Sequence, residues 1–156
     1  MPTTFREAVE IIGVLQFHPG LQALRARDRE RICVTKTRRI SGSVDIDTCL
    51  KSQYPNDPRW DYAIGYTPAE CNQEKVYWIE VHPATEGAIA EVIQKQRWLI
   101  KWLEKQGKPL HPFSRCFIWI SSSNTGWNAR SPQSKQLASE GILYSGTKVD
   151  LDCVRL

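Results

Sequence analysis

Two extended apolar stretches, joined by a short polar connection and followed at once by a long amphipathic run, leave this chain few ways to fold. The first stretch is RWDYAIGY, from Arg59 to Tyr66, and the second is KVYWIEVHP, from Lys75 to Pro83. Aromatic and β-branched residues dominate both, so both read as strands, over Trp60 to Tyr66 and Lys75 to His82. The connection TPAECNQE is short, which favours an antiparallel pair. Behind Pro83, the residues Ile89, Val92, Ile93, Leu99, Ile100 and Leu103 form one apolar stripe at helical spacing. Gly107 ends that helix, with Pro109 after it.

The flanking segments supply partners for this unit. Thr4 and Glu7 have capping-box spacing, and Phe5, Ala8, Val9, Ile12 and Leu15 recur helically, which predicts a first helix to about Phe17. His18-Pro19-Gly20 stops it. Leu21 to Arg31 reads as a second short helix that spreads Arg25, Arg27, Arg29 and Arg31 round its circumference as a solvated surface. Ile32 to Ile40 and Val44 to Leu50 read as a strand hairpin about the turn signal Ser41-Gly42-Ser43. Asp45 and Asp47 then share one strand face, either as plain solvent-facing residues or as extra metal ligands. Tyr54 to Pro58 is a loop by composition. Arg115 to Ser121 is apolar enough for a central strand, and the polar loop SSSNTGWNARSPQS follows. Lys135 to Glu140 reads as a short helix and Val149 to Val154 as an edge strand. The order predicts an α/β fold, an α+β mixed sheet flanked by helices, in one domain over residues 1–156.

Bulk properties exclude several classes. No apolar run approaches a membrane span, and the N-terminus MPTTFREAVE lacks the basic-then-apolar layout of a secretory signal. The five cysteines are scattered, odd in number and never in a CxxC pair, which reads as reduced thiols in a cytoplasmic protein, several of them in strands. A net charge of +4 favours a polyanionic partner.

The chemistry sits on the two opening strands. Asp61 opens the first and Glu80 lies near the end of the second. In a strand, Tyr77, Ile79 and Val81 face one way and Trp78, Glu80 and His82 the other. A carboxylate in the apolar frame YWIEV is at an edge, paired, or part of a site. Closely spaced carboxylates hold a divalent cation for phosphodiester cleavage, while a further group handles the water. Asp61 and Glu80 fit the metal-ligand role. The Val81 carbonyl offers a further hard oxygen for Mg²⁺ or Mn²⁺, and His82, two residues past Glu80, shares its face.

The series RWDY, a turn, YWIEVH and a long helix resembles the core of the PD-(D/E)xK nuclease superfamily, the restriction-endonuclease-like fold. The resemblance implies a core of helix, three-stranded meander, helix and strand, covering Thr4 to about Ser121. It matches Asp61 to the aspartate of the first motif and Glu80 to the acidic residue of the second. Trp60 replaces the motif proline and His82 the motif lysine. In such folds lysine is also supplied from elsewhere, and Lys95 on the following helix is the nearest candidate, off the apolar stripe. Gln96 lies within the stripe, points toward the sheet and is a further candidate for the site. Gln94 and Trp98 imitate the family's QxxxY motif loosely. Glu7 and Glu10 are candidates for the glutamate that some members contribute from the first helix, and neither lies on the apolar stripe.

The resemblance implies metal-dependent hydrolysis of DNA or RNA. An inactive nuclease-fold module that binds nucleic acid or a larger complex is the alternative. Its contacts are Arg38, Arg39 and the loop with Trp127 and Arg130, since aromatic and basic side chains together suit a nucleic-acid strand. Trp98 and Trp102, one turn apart on the long helix, either pack under another element or form an exposed patch for a protein partner or a second copy of the chain.

Overall fold

Thr4 caps the first helix as its spacing predicts. In the computed structural model, which describes residues 2–123 and 127–154, its hydroxyl accepts the Glu7 amide at 3.1 Å. The helix, α1, spans Phe5–Ile12. It ends five residues before the expected Phe17, because Gly13 takes φ +79° and returns its amide to the Val9 carbonyl. A two-residue strand, β1, follows at His18–Pro19. The predicted helix from Leu21 to Arg31 shrinks to a single turn, α2, at Ala26–Arg29.

The next segment departs most from expectation. Only Ile32–Cys33 is extended, as β2, and Thr37–Arg39 is a 3-10 turn. Ser41-Gly42-Ser43 is no turn but the middle of a strand, β3, over Ile40–Asp45. β1 crosses close beside it, so that a Cβ on Gly42 would meet the Phe17 ring and the His18 carbonyl oxygen. The residue is glycine for close approach, not for turning. Of the predicted strand Val44 to Leu50, only Val44 and Asp45 are extended, as the end of β3. Asp45 caps a short helix, α3, at Ile46–Leu50, accepting the Thr48 amide and hydroxyl at 2.9 Å each.

The central unit forms as expected. β4 spans Tyr62–Tyr66 and β5 spans Lys75–His82, paired antiparallel with Tyr62 opposite Ile79. The long helix, α4, runs over Glu86–Leu103, capped by the Thr85 side chain. β6, at Arg115–Ser121, lies parallel to β5. α5, at Pro132–Ser139, starts earlier than predicted, and it leads into a strand absent from the prediction, β7, at Ile142–Tyr144. The predicted last strand is only β8, Val149–Asp150. It pairs with β2 in a separate parallel ribbon.

The fold is thus α/β, with a six-stranded mixed sheet in the order β1-β3-β4-β5-β6-β7 flanked by helices. One face carries Trp60, Trp78 and Trp119 against α1, α4 and α5. The other carries Tyr62, Ile64, Ile79, Ile118 and Ile120 beneath Leu24, Ile32, Val149 and Leu151. Side chains therefore alternate along β5 as predicted, which turns Glu80 and His82 toward α4 and Val81 away from it. Among the described residues no helix is long and apolar enough to cross a membrane.

Candidate active site

β4 and β5 part company just before Tyr62. Their last paired residues are Tyr62 and Ile79. Beyond that point side chains take over from the backbone ladder. One Asp61 oxygen, Oδ2, accepts the Val81 amide at 2.9 Å, and one Glu80 oxygen, Oε1, accepts the Asp61 amide at 3.2 Å. Each carboxylate thus holds a main-chain amide of the other strand. The Val81 amide faces β4, and in a strand a residue's carbonyl points to the same side as its amide. The Val81 carbonyl therefore also points toward Asp61.

The other Glu80 oxygen is taken by α4. Lys95 donates its ammonium to Oε2 at 2.6 Å. Lys95 stands on the helix, 15 residues after Glu80. His82 lies two residues past Glu80, at the end of β5. Its Nε2 lies 3.0 Å from the Glu91 carboxylate and its Nδ1 lies 3.9 Å from Glu80.

Electrostatics follow from burial. Glu80 is 0% exposed, and its carboxyl is pushed well above the usual range, by burial first and by the Asp61 charge second. Burial also lifts the Asp61 carboxyl to about 6, opposed by the Val81 amide and Lys95. Lys95 is held above its ordinary value. Burial works against its charge, and Glu80 outweighs burial. A raised lysine implies an anionic neighbour, whereas a raised glutamate implies a carboxyl resisting ionisation. Counting charges reconciles the two. Two carboxyls share one ammonium, so ionising both would leave one negative charge unbalanced, which is why the Asp61 charge raises Glu80 while Lys95 opposes the rise. His82 is pushed down, by burial and then by Lys95, so it is neutral at pH 7. With Nε2–H donated to Glu91, the lone pair falls on Nδ1.

Asp61 and Val81 reach a cleft of about 440 Å³ at this end of the sheet. Arg25, Arg27, Arg31, Asp45 and Asp47 line it as well. Among the described residues no group of three or more histidine, cysteine, aspartate or glutamate side chains is set to hold a metal. The oxygen donors at the cleft are the Asp61 carboxylate and the Val81 carbonyl, with Glu80 behind them, 0% exposed and its two oxygens held by the Asp61 amide and Lys95. Mg²⁺ suits that set, since it binds through one or two carboxylates and retains water.

Comparison with protein-family models, curated proteins and solved structures finds no match to this chain.

Several predicted site residues lie elsewhere. Gln96 is buried, but its amide nitrogen donates to the Glu140 carbonyl at 2.8 Å, tying α4 to the end of α5. It serves the packing of two helices, not the carboxylates. Arg38 and Arg39 precede Ile40, which pairs with Tyr66, whereas Asp45 at the other end of β3 pairs with Tyr62. They sit about 17 Å from the Asp61 end, by strand rise. Arg39 donates to the Thr67 carbonyl. Trp127 packs edge-on against Trp119 and Tyr144, so its ring is not free for stacking. Arg130 is exposed; part of its predicted loop, residues 124–126, lies outside the described residues. Trp102 is buried, and Trp98 is half-buried against Tyr54 with its indole donating to Asp57 at 2.8 Å. They pack within the chain and form no exposed patch. Glu7 binds Thr3, and Glu10 pairs with Arg6. Of the cysteines only Cys116 is both buried and in a strand, and no disulfide joins any of the five.

The sequence reading missed the arginines of the cleft. Treating Leu21 to Arg31 as one helix scattered them. With helix only at Ala26–Arg29, three of the four line one cavity, while Arg29 turns back to the Leu24 carbonyl.

Proposed function

We propose that this protein is a metal-dependent nuclease of the PD-(D/E)xK type, on a restriction-endonuclease-like core, with its lysine supplied by α4. The observation that carries the reading is the 2.6 Å contact of Lys95 with Glu80, beside Asp61 at the fork of β4 and β5. Aspartate, glutamate and lysine meet there although only the first two keep their expected places in the sequence. The element order supports it: helix, antiparallel meander, helix and parallel strand.

Asp61, Glu80 and the Val81 carbonyl would hold Mg²⁺ or Mn²⁺. Such a cation, when bound, stabilises charge on a phosphoryl oxygen and makes water more acidic. Lys95 fixes the Glu80 carboxylate and keeps positive charge beside the reacting phosphate. His82 is neutral, with Glu91 setting its tautomer, and so can accept a proton at Nδ1. The five thiols, none in a disulfide, suit a reducing cytoplasm.

The test is cleavage of single- and double-stranded DNA and RNA with Mg²⁺, Mn²⁺ or chelator. Asp61→Asn and Glu80→Gln are each expected to lower the metal-dependent rate by about 100-fold or more. Cleavage that persists in both variants would remove the basis of the proposal.

A further inference from the structure

We propose that Arg31, with Arg25 and Arg27, forms the phosphate-binding wall of the Asp61 cleft and seats a nucleic-acid backbone opposite the carboxylates. The proposal rests on the nuclease reading for the identity of the anion.

Among the described residues, four aspartates and three arginines line this one cavity, and no ion pair joins any two of them. Asp28 accepts the Tyr62 hydroxyl at 2.6 Å. Asp45 is spent on capping α3, and Asp47 pairs with Arg59, which lies outside the lining. Asp61 holds the Val81 amide. Among the described residues no ion pair involves Arg25, Arg27 or Arg31. Opposite charges that share a cleft without pairing leave room for a ligand that meets both. A phosphodiester does so, since its oxygens accept from guanidinium on one side and bind a carboxylate-held cation on the other.

Arg31 has the built geometry of an anchor. Its carbonyl accepts the Val149 amide at 2.8 Å, which ties it to the ribbon of β2 and β8. Its guanidinium is clamped by one nitrogen, Nη1, which donates to the Ser121 carbonyl at 3.0 Å and to the Thr147 carbonyl at 3.1 Å. Nε is buried with no hydrogen-bond partner among the described residues. A guanidinium fixed at one corner and lining the cavity holds its charge in place beside an incoming phosphate. Arg25 and Arg27 are exposed at the mouth and extend the same wall.

The test measures binding separately from cleavage. Anisotropy of a fluorescein-labelled single-stranded DNA oligonucleotide, and of its duplex, is followed in chelator with the full chain carrying Asp61→Asn, across a salt series. In that background Arg25→Ala/Arg27→Ala is expected to reduce the salt slope by about 1.4 on the single strand. Arg31→Ala is expected to weaken binding about tenfold at low salt. Arg31→Lys, which keeps charge but not the fork, should bind more weakly than the parent at a parental salt slope, while its melting temperature reports the lost ties to Ser121 and Thr147 separately. Arg38→Ala/Arg39→Ala should bind as the parent does. Parental affinity and slope in both the Arg25/Arg27 and Arg31 variants overturn the proposal, as does an equal loss in the Arg38/Arg39 variant. So does a parent that binds neither probe. Arginine-dependent binding without metal-dependent cleavage in the wild-type chain would retain the wall and refute the nuclease. Cleavage indifferent to the arginines would do the reverse.

Discussion

Lys95 carries two burdens, and they separate by experiment. It balances the buried Glu80 charge and lends positive charge to the site. Lys95→Met is therefore expected to cost about 3 kcal/mol of stability at pH 7, since it strands a buried carboxyl. Urea denaturation should show most of that loss reversed in Glu80→Gln/Lys95→Met, while neither variant cleaves. Asp61 makes a pH prediction. A carboxyl lifted to about 6 favours the folded state while protonated, and that contribution is lost as pH rises through about 6. Metal-free protein should accordingly gain stability at pH 7.5 on Asp61→Asn, by about 1–3 kcal/mol. Calorimetric Mg²⁺ binding to the wild type should tighten as pH rises through the same value, with proton release. Affinity that does not change with pH would contradict the assignment of Asp61 as a ligand. The acid pair was legible from strand period together with the resemblance to the nuclease motif. Lys95 was legible only through the resemblance, which made it a candidate because His82 stands where the motif has lysine. Gln96, its neighbour, was misread because consecutive helical residues point about 100° apart, and its partner lies in a helix–strand unit whose strand had no clear signal.

At the scale of elements, the two-strand unit and its helix were readable because long runs with a clean period outvote local exceptions. The region from Leu21 to Leu50 was not. There the runs are short, and contacts distant in sequence decide them. Gly42 is the clearest case. It looks like a turn residue, yet a Cβ placed there comes 2.7 Å from the His18 carbonyl oxygen, a backbone atom that cannot rotate away. Gly42→Ala is expected to destabilise the protein by about 1–3 kcal/mol, chiefly by pushing β1 off β3. A chemical-denaturation midpoint equal to wild type would show that β1 yields freely. The polar signal Asp45-Ile46-Asp47 misled in a related way. Two aspartates at alternate positions fit a strand face, but the first of them caps a helix.

Across the whole molecule, the sheet separates two cores, and of the two readings open for Trp98 and Trp102 the packed one holds, with Trp102 buried in the first core and Trp98 half-buried against it. Trp98 and Trp102 are gathered in by Tyr54, Asp57 and Gln106. Trp98→Ala should thus leave the sedimentation coefficient unchanged over a range of concentrations while lowering the melting temperature. A shift in association state would reopen the helix face as an interface. The net charge of +4 pointed to an anionic partner, but only the fold shows which basic residues share a cavity with the carboxylates. The crossed bonds at the fork add a last consequence. Since the Asp61 and Val81 amides are each held by a carboxylate of the opposite strand, their nitrogen and proton resonances form a matched pair of reporters. Each registers the ionisation of one acid, so the order in which the two lose their protons can be read site by site, in the resting protein and without any substrate.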